Sequence, residues 1–293
     1  MRAQARVVTG LVMALLLAWP GTLLAQKAEG AKGKKEGKAA VKPAAKVGAK
    51  PAKKEKMTPE VKEAAALLQS AEDEKIIEGV KKLGELADPT GVTPLVDLLK
   101  AGQGDKVTQA AIDALGAISS PKAIPILIEY MKHRRAEVRV VAINAIAEIK
   151  DKQVSEALKS ALKDSDTNVR KTAALALGRY GDPSAVDILF KAFDRNVVEA
   201  AIAIGQLGSV NDMERLSTYL GKSPLTILLP GFLEFLGRAD FPEKGKLKII
   251  EKLKELAGPE VKQFLIKFVA GLPAEDKGPV KTKAQEAINA IAD

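Results

Sequence analysis

The chain has 293 residues with no cysteine, one histidine (His133) and one tryptophan (Trp19), which excludes disulfides and thiolate metal sites and leaves histidine-dependent catalysis without partners. Lys and Arg number 46 against 37 Asp and Glu, a net charge of +9. Arg2 and Arg6 contribute two of these charges, and residues 26–56, with 11 Lys and 3 Glu, contribute +8, so residues 57–293 carry −1. Basicity belongs to the N-terminal part and not to the fold.

Residues 1–25 read as an export signal. Arg2 and Arg6 supply a positive start, Val7 to Ala18 form an apolar run, and Pro20-Gly21 breaks it before Leu23-Leu24-Ala25 ends in a small residue. An uncleaved anchor is the competing reading, because Val7 to Ala25 is nearly long enough to cross a bilayer. The Pro-Gly break shortly before Ala25 favours cleavage. The expectation is an exported chain, periplasmic or secreted, with no transmembrane span once the signal is removed.

Residues 26–57, almost entirely Lys, Ala, Gly, Pro and Glu, are predicted to be a disordered linker, since Val41 and Val47 alone cannot offset the entropy of ordering. The bland role is a soluble spacer. The sharper one is adhesion to anionic envelope polymers or lipid headgroups, worth at most ~1 kcal/mol per lysine near an anionic membrane surface. The composition is similar to the lysine-rich tails of linker histones, but export argues against a chromatin role, so no specific nucleic-acid partner is assigned.

From residue 58 to 293 the pattern is an internal repeat, clearest over 73–220 and degenerate over 221–293. Leu83, Leu115, Ile146, Leu177, Ile204 and Leu236 recur at spacings of 32, 31, 31, 27 and 32. The next residue is always small (Gly84, Gly116, Ala147, Gly178, Gly205, Gly237), and four residues before stand Gly79, Ala111, Ala142, Ala173 and Ala200, until Phe232 departs. Small residues in fixed columns let neighbouring helices approach closely. Five residues after the anchors come Asp88, Ser120, Asp151, Asp182 and Ser209, whose side-chain oxygens can accept the free N–H groups that open a helix. Pro89, Pro121 and Pro183 follow three of them, at the first helical position.

A second helix therefore starts there, with its own stripe of Leu95, Leu127, Leu158, Leu189 and Leu216. The first helix carries Val138, Ala142, Ala145, Ile146 and Ile149 as an example of its buried face. Each unit is a helical hairpin covered by the next. Residues 59–70 read as an N-terminal capping helix opened by Thr58 and Pro59, and 280–293 return to the 169–182 pattern with Ala284, Ile288 and Asp293 in register.

These residues resemble the HEAT-like repeats of bacteria, of the type also found in phycobilisome lyases. The resemblance is carried by DSDTNVR, from Asp164 to Arg170, leading into AALALG, and by Glu137-Val138-Arg139 leading into AINAIA. Tetratricopeptide repeats, with their Trp and Tyr signposts, fit worse. The resemblance implies an all-α fold, an α-α superhelix built as a right-handed solenoid of about seven hairpins. It further implies that Arg139 and Arg170, near the start of their first helices, support ladders between adjacent repeats, and that the second helices face the concave surface.

Two groups are candidates for partner binding. Lys132, His133, Arg134 and Arg135 form the one basic cluster within the fold, whose plainer role is to answer the dipole at a helix C-terminus. Glu156, Asp187 and Glu214 share one column of the second helices, either a solvated face or an acidic strip for a basic partner. No Gly-rich phosphate loop, His-Glu-x-x-His or Gly-x-Ser-x-Gly occurs, so no cofactor, metal or catalytic residue is assigned. Deoxyhypusine hydroxylases, another HEAT-like family, need paired His-Glu motifs that a single histidine cannot supply. The expected function is a non-enzymatic scaffold for protein–protein contacts in the cell envelope, its partner unspecified. The alternatives are an envelope-polymer or lipid tether acting through the lysine-rich segment, a chromophore-lyase-like enzyme and a chaperone.

Overall fold

The computed structural model describes residues 56–292; the segment read as an export signal, the segment read as a linker up to residue 55, and Asp293 lie outside the described residues. The fold is all-α, with fifteen α-helices and no strand among the described residues. Helix α1 (Pro59–Leu67) is a cap packed on α2, and seven hairpins follow. They are α2 (Asp73–Leu86) with α3 (Val92–Lys100), α4 (Asp105–Ile118) with α5 (Ile124–Tyr130), and α6 (Ala136–Ala147) with α7 (Lys152–Ala161). Then come α8 (Thr167–Tyr180) with α9 (Val186–Phe193), α10 (Ala200–Leu207) with α11 (Val210–Ser217), α12 (Leu225–Gly237) with α13 (Glu243–Leu256), and α14 (Pro259–Ala270) with α15 (Pro279–Ala290). Met57, read from sequence as linker, instead packs against the core, because its apolar thioether side chain gains by leaving water.

Local chemistry sets the hairpin turns. Asp88, Ser120 and Asp182 each accept the N–H two residues on, at 2.8, 3.4 and 2.9 Å, opening short 3₁₀ turns that begin with proline and run directly into α3, α5 and α9. Asp151 caps α7 the same way at 2.9 Å, and Ser209 with Asp212 forms a reciprocal capping box on α11. Before three of these caps the chain turns through a left-handed residue: Ala87 (φ 49°), Ser119 (φ 51°) and Gly181 (φ 86°). Only the last is a glycine. Ala87→Gly should relieve that Cβ strain and raise stability by roughly 0.5–1 kcal/mol, measurable as a higher thermal midpoint; a fall would mean the αL conformation is not strained.

The first helices α2, α4, α6, α8, α10 and α12 stack closely in succession. The small columns make this possible. A Cβ on Gly116 would sit 2.8 Å from the Ala145 Cα, and one on Gly205 only 2.2 Å from the carbonyl oxygen of Gly231. The anchors Leu83, Leu115, Ile146, Leu177, Ile204 and Leu236 are all buried, as are Leu95, Leu127, Leu158, Leu189 and Leu216 in the second helices. The short 27-residue spacing arises because α10 has eight residues where α8 has 14. The preceding turn, with Asn196 left-handed and Val197 buried, takes the place of its first turns.

The stretch that reads as degenerate from 221 onward is nevertheless helical, and Phe232 and Phe235 are fully buried in α12. Pro230 is accommodated inside that helix. Beyond it the stacking changes. Gly237 continues the small column on paper, but a Cβ there would meet nothing within 4 Å, and α12 touches α14 only lightly while α13 packs firmly on α15. Ala284 and Ile288 of α15 are buried, but α15 packs on α13, a second helix, although its sequence follows the first-helix pattern of 169–182. No helix of the described residues is long and apolar enough to cross a membrane.

Candidate functional site

Up to α13 the second helices touch one another far less than the first helices do, so grooves open between them. One of them, about 750 Å³, lies between α5 and α7. Its floor is apolar: Ile128 and Met131 come from the end of α5, and Ala157 and Ala161 from one face of α7, four residues apart. Its rim carries Lys132, Lys152, Gln153, Glu156, Ser160 and Ser165, and Arg139 and Asp164 close one end.

Arg139, the fourth residue of α6, is the organising side chain. Its Nη1 donates to the carbonyls of His133 and Arg134 at 2.9 and 3.3 Å, holding the loop before its own helix. Its Nη2 donates to Asp164 Oδ1 of the next unit at 2.7 Å, both side chains being largely buried. Its Nε is buried without a partner among the described residues. Burial pushes the Asp164 carboxyl up, yet the bond from Arg139, the Asp166 N–H and the charges of Arg139 and Arg170 together hold it below its ordinary value. Arg170 repeats the grip on its own loop, through the carbonyls of Asp164 and Ser165 at 2.9 and 2.8 Å, but its third contact is Thr167 of the same helix. The ladder implied by the resemblance thus has one cross-unit rung here, Arg139–Asp164.

The basic cluster does not act as a unit. Lys132 faces the groove. His133 is held in the turn, its Nδ1 accepting the Arg135 N–H at 3.2 Å and its ring stacked on Tyr130 with centroids 6.0 Å apart. Arg134 is exposed. Arg135 corrects the expectation of a helix C-terminus, since it opens α6, where the dipole disfavours a cation. Asp105, ion-paired to it, and Glu137, 3.8 Å away, offset that.

The acidic column is not a bare strip either. Glu156 pairs with Lys159 at 2.9 Å, Asp187 with Arg215 at 3.0 Å, and Glu214 with Lys248. The Lys248 ammonium holds the Glu214 carboxyl below its usual value. Arg215 also lies over the Phe190 ring, 3.8 Å from its centroid. Each of the three carboxylates has its own cation, drawn from positions outside the column. Only Glu156 reaches the same groove as Lys132. Among the described residues, no three His, Cys, Asp or Glu gather as a metal site.

Sequence reasoning missed the ties between units. Tyr130 donates its hydroxyl to Leu99 O at 3.1 Å, Tyr180 to Asp151 O at 2.6 Å, and Tyr219 to Asp194 Oδ1 at 2.6 Å. All three tyrosines bridge to the preceding unit. Asp182, besides capping, accepts from the Ser155 hydroxyl and lies 3.3 Å from Lys159 Nζ. The Ser155 hydroxyl foremost, then Ser184 and Lys159, hold its carboxyl well below the usual range against the upward push of burial. Its stabilising effect is therefore complete above the unfolded-state value of about 3.9 and is lost as pH falls through the lower native value. Asp182→Asn should lower the thermal midpoint more at pH ~7 than at pH ~2; equal falls at both would contradict the charged role.

Stacked hairpins with a close first-helix spine and an open second-helix layer define an α-solenoid repeat protein. The HEAT repeat family matches residues 61–139 and 127–205, and the chain is a HEAT-like repeat protein. Over 128 residues it is 30% identical to phycocyanobilin lyase subunit alpha of Nostoc sp. (strain PCC 7120), covering 40% of this chain and 46% of that relative. Over 121 residues it is 28% identical to the protein of the same name from Picosynechococcus sp., covering 41% and 44%. The chain thus spans less than half the length of the curated relatives it matches. A solved structure of the CpcE–CpcF complex of phycocyanin lyase from Nostoc sp. PCC7120 is similar with a TM-score of 0.45 and 19% identity, covering 84% of this chain and 99% of that one. A designed armadillo repeat protein in complex with peptide (KR)4 is similar with a TM-score of 0.38 and 18% identity, covering 80% and 100%.

Proposed function

We propose that this chain is an exported, non-enzymatic repeat scaffold whose second-helix layer binds another protein. The observation that carries the reading is the α5–α7 groove. It has an apolar floor, and both of its carboxylates are already ion-paired. Such a surface suits recognition through burial with a polar rim. The only histidine, the natural base for a serine nucleophile, is engaged in the turn beside the groove. The lysine-rich residues 26–56 serve as a charged spacer, and the Arg2/Arg6 start with its apolar run directs export.

Capture from an envelope extract with the full chain tests the scaffold role. A protein should co-purify stoichiometrically and be lost on Ala157→Arg, which fills the groove floor; retention on that variant would place binding elsewhere. Intact-mass measurement of the exported protein should give a chain beginning at Gln26. An envelope-polymer role for the tail predicts salt-sensitive sedimentation with cell-wall sacculi that disappears when the lysines of 26–56 become glutamine.

The names of the curated relatives favour a second reading, a chromophore-lyase-like subunit. An absorbance scan after incubation with phycocyanobilin decides it: a stable pigment band, or its transfer to an acceptor protein, would replace the scaffold reading.

A further inference from the structure

We infer that the α5–α7 groove selects an acidic, apolar segment of its partner: a leucine or phenylalanine side chain on the floor, with Asp or Glu beside it. This rests on the scaffold reading and adds the chemistry of the occupant. The argument is one of charge complementarity on an apolar surface. Asp164 is held by Arg139, and Glu156, though largely exposed, pairs with Lys159; the lining's cations, Lys132, Arg139 and Lys152, outnumber these two carboxylates. Lys132, in the turn after α5, and Lys152, at the start of α7, by contrast stand exposed beside the floor with no carboxylate partner among the described residues. The groove's unanswered charge is therefore positive.

Two further features point to a polypeptide. The side chains of Gln153 and Ser165 on the rim have no hydrogen-bond partner among the described residues and can meet the N–H and C=O groups of an extended chain. The floor residues Ala157 and Ala161 are small and four apart on α7, so a bulky side chain from outside can settle between Ile128 and Met131. Lys152 opens α7, where the helix dipole disfavours it. An incoming carboxylate is favoured there twice, by the ammonium and by the helix terminus. The column that reads in sequence as an acidic strip for basic partners is, at this groove, the opposite.

The test uses the full chain over an array of fifteen-residue peptides with a central leucine or phenylalanine flanked by Asp/Glu, by Lys/Arg or by Ser/Asn, together with Asp/Glu peptides whose central residue is serine. The best binders are then measured by fluorescence anisotropy. Because the lysine-rich tail attracts any anion, the decisive comparison is between two double variants that both keep it: Lys132→Glu with Lys152→Glu, and Lys191→Glu with Lys222→Glu as an exposed control. The acidic-apolar peptides should bind, and the groove variant should weaken them by about tenfold or more while the control changes little. Far-ultraviolet circular dichroism and melting of both variants exclude unfolding as the cause.

Acidic peptides binding equally well without the leucine, or falling equally with both variants, would assign them to the tail and overturn the inference. Preference for the Lys/Arg peptides, lost on Ala157→Arg, would also overturn it while leaving the scaffold reading intact. Binding of vesicles of anionic phospholipid that vanishes in the groove variant would substitute a lipid for the peptide. Absence of peptide binding in every class together with an empty envelope capture would remove both readings.

Discussion

Leu177→Ala is expected to destabilise the protein by about 2–5 kcal/mol, the largest effect of any single truncation considered. Leu177 is wholly buried in α8, in the anchor column that every unit repeats, so its loss leaves a cavity between helices that cannot collapse without moving their neighbours. The thermal midpoint should fall by roughly 4–20 °C, whereas Leu177→Met, which keeps the volume, should cost less than about 1.5 kcal/mol. Comparable falls for both would mean that β-carbon geometry, not the filled volume, matters at this position. Since contacts are between adjacent units, hydrogen exchange in the Leu177→Ala protein should rise around α6, α8 and α10 before it rises in α1 or α15.

Gly205→Ala should be harmful by about 1–3 kcal/mol even though alanine is the better helix former by about 1 kcal/mol. The added carbon would lie 2.2 Å from the Gly231 carbonyl oxygen and 2.7 Å from the Glu234 Cβ, a clash with backbone that no rotamer change relieves. Gly237→Ala, in the same sequence column, has nothing within 4 Å and should be neutral or gain up to about 1 kcal/mol. The opposite signs of two identical substitutions, read by chemical denaturation, separate close packing from helix propensity. Two falls of equal size would show that the column is tight throughout.

That pair also marks where sequence legibility ends. The period of buried leucines and the Asp and Ser caps could be read from residues alone because each depends on neighbours within a few positions along one helix. Whether Gly237 packs depends on how α14 lies beside α12, and that is decided by residues more than twenty positions away. α14 lies off α12 while α15 packs on α13, a change of stacking that no residue near Gly237 announces. The groove was legible only in fragments. Lys132 and Glu156 stood out in separate patterns, one as a run of cations and one as a column of carboxylates. The groove also takes in Lys152, which neither pattern flagged, and Asp164, which stood out only as the start of the run that carries the family resemblance. The Glu156–Lys159 pair, three apart on α7, lay within reach of the sequence, but the pairing of Arg139 with Asp164 across units, with Lys132 and Lys152 left over, did not. Such pairing depends on the rotation between hairpins, which has no short-range signature.

Cohesion and recognition are written on different helices of each hairpin. The glycine and alanine columns that hold the stack together lie in α4, α6, α8 and α10, whereas most of the groove's floor and rim lies on α5 and α7. A lineage carrying this architecture is free to exchange side chains along the second helices, and so to change what it greets, without disturbing the seam that keeps successive modules in register.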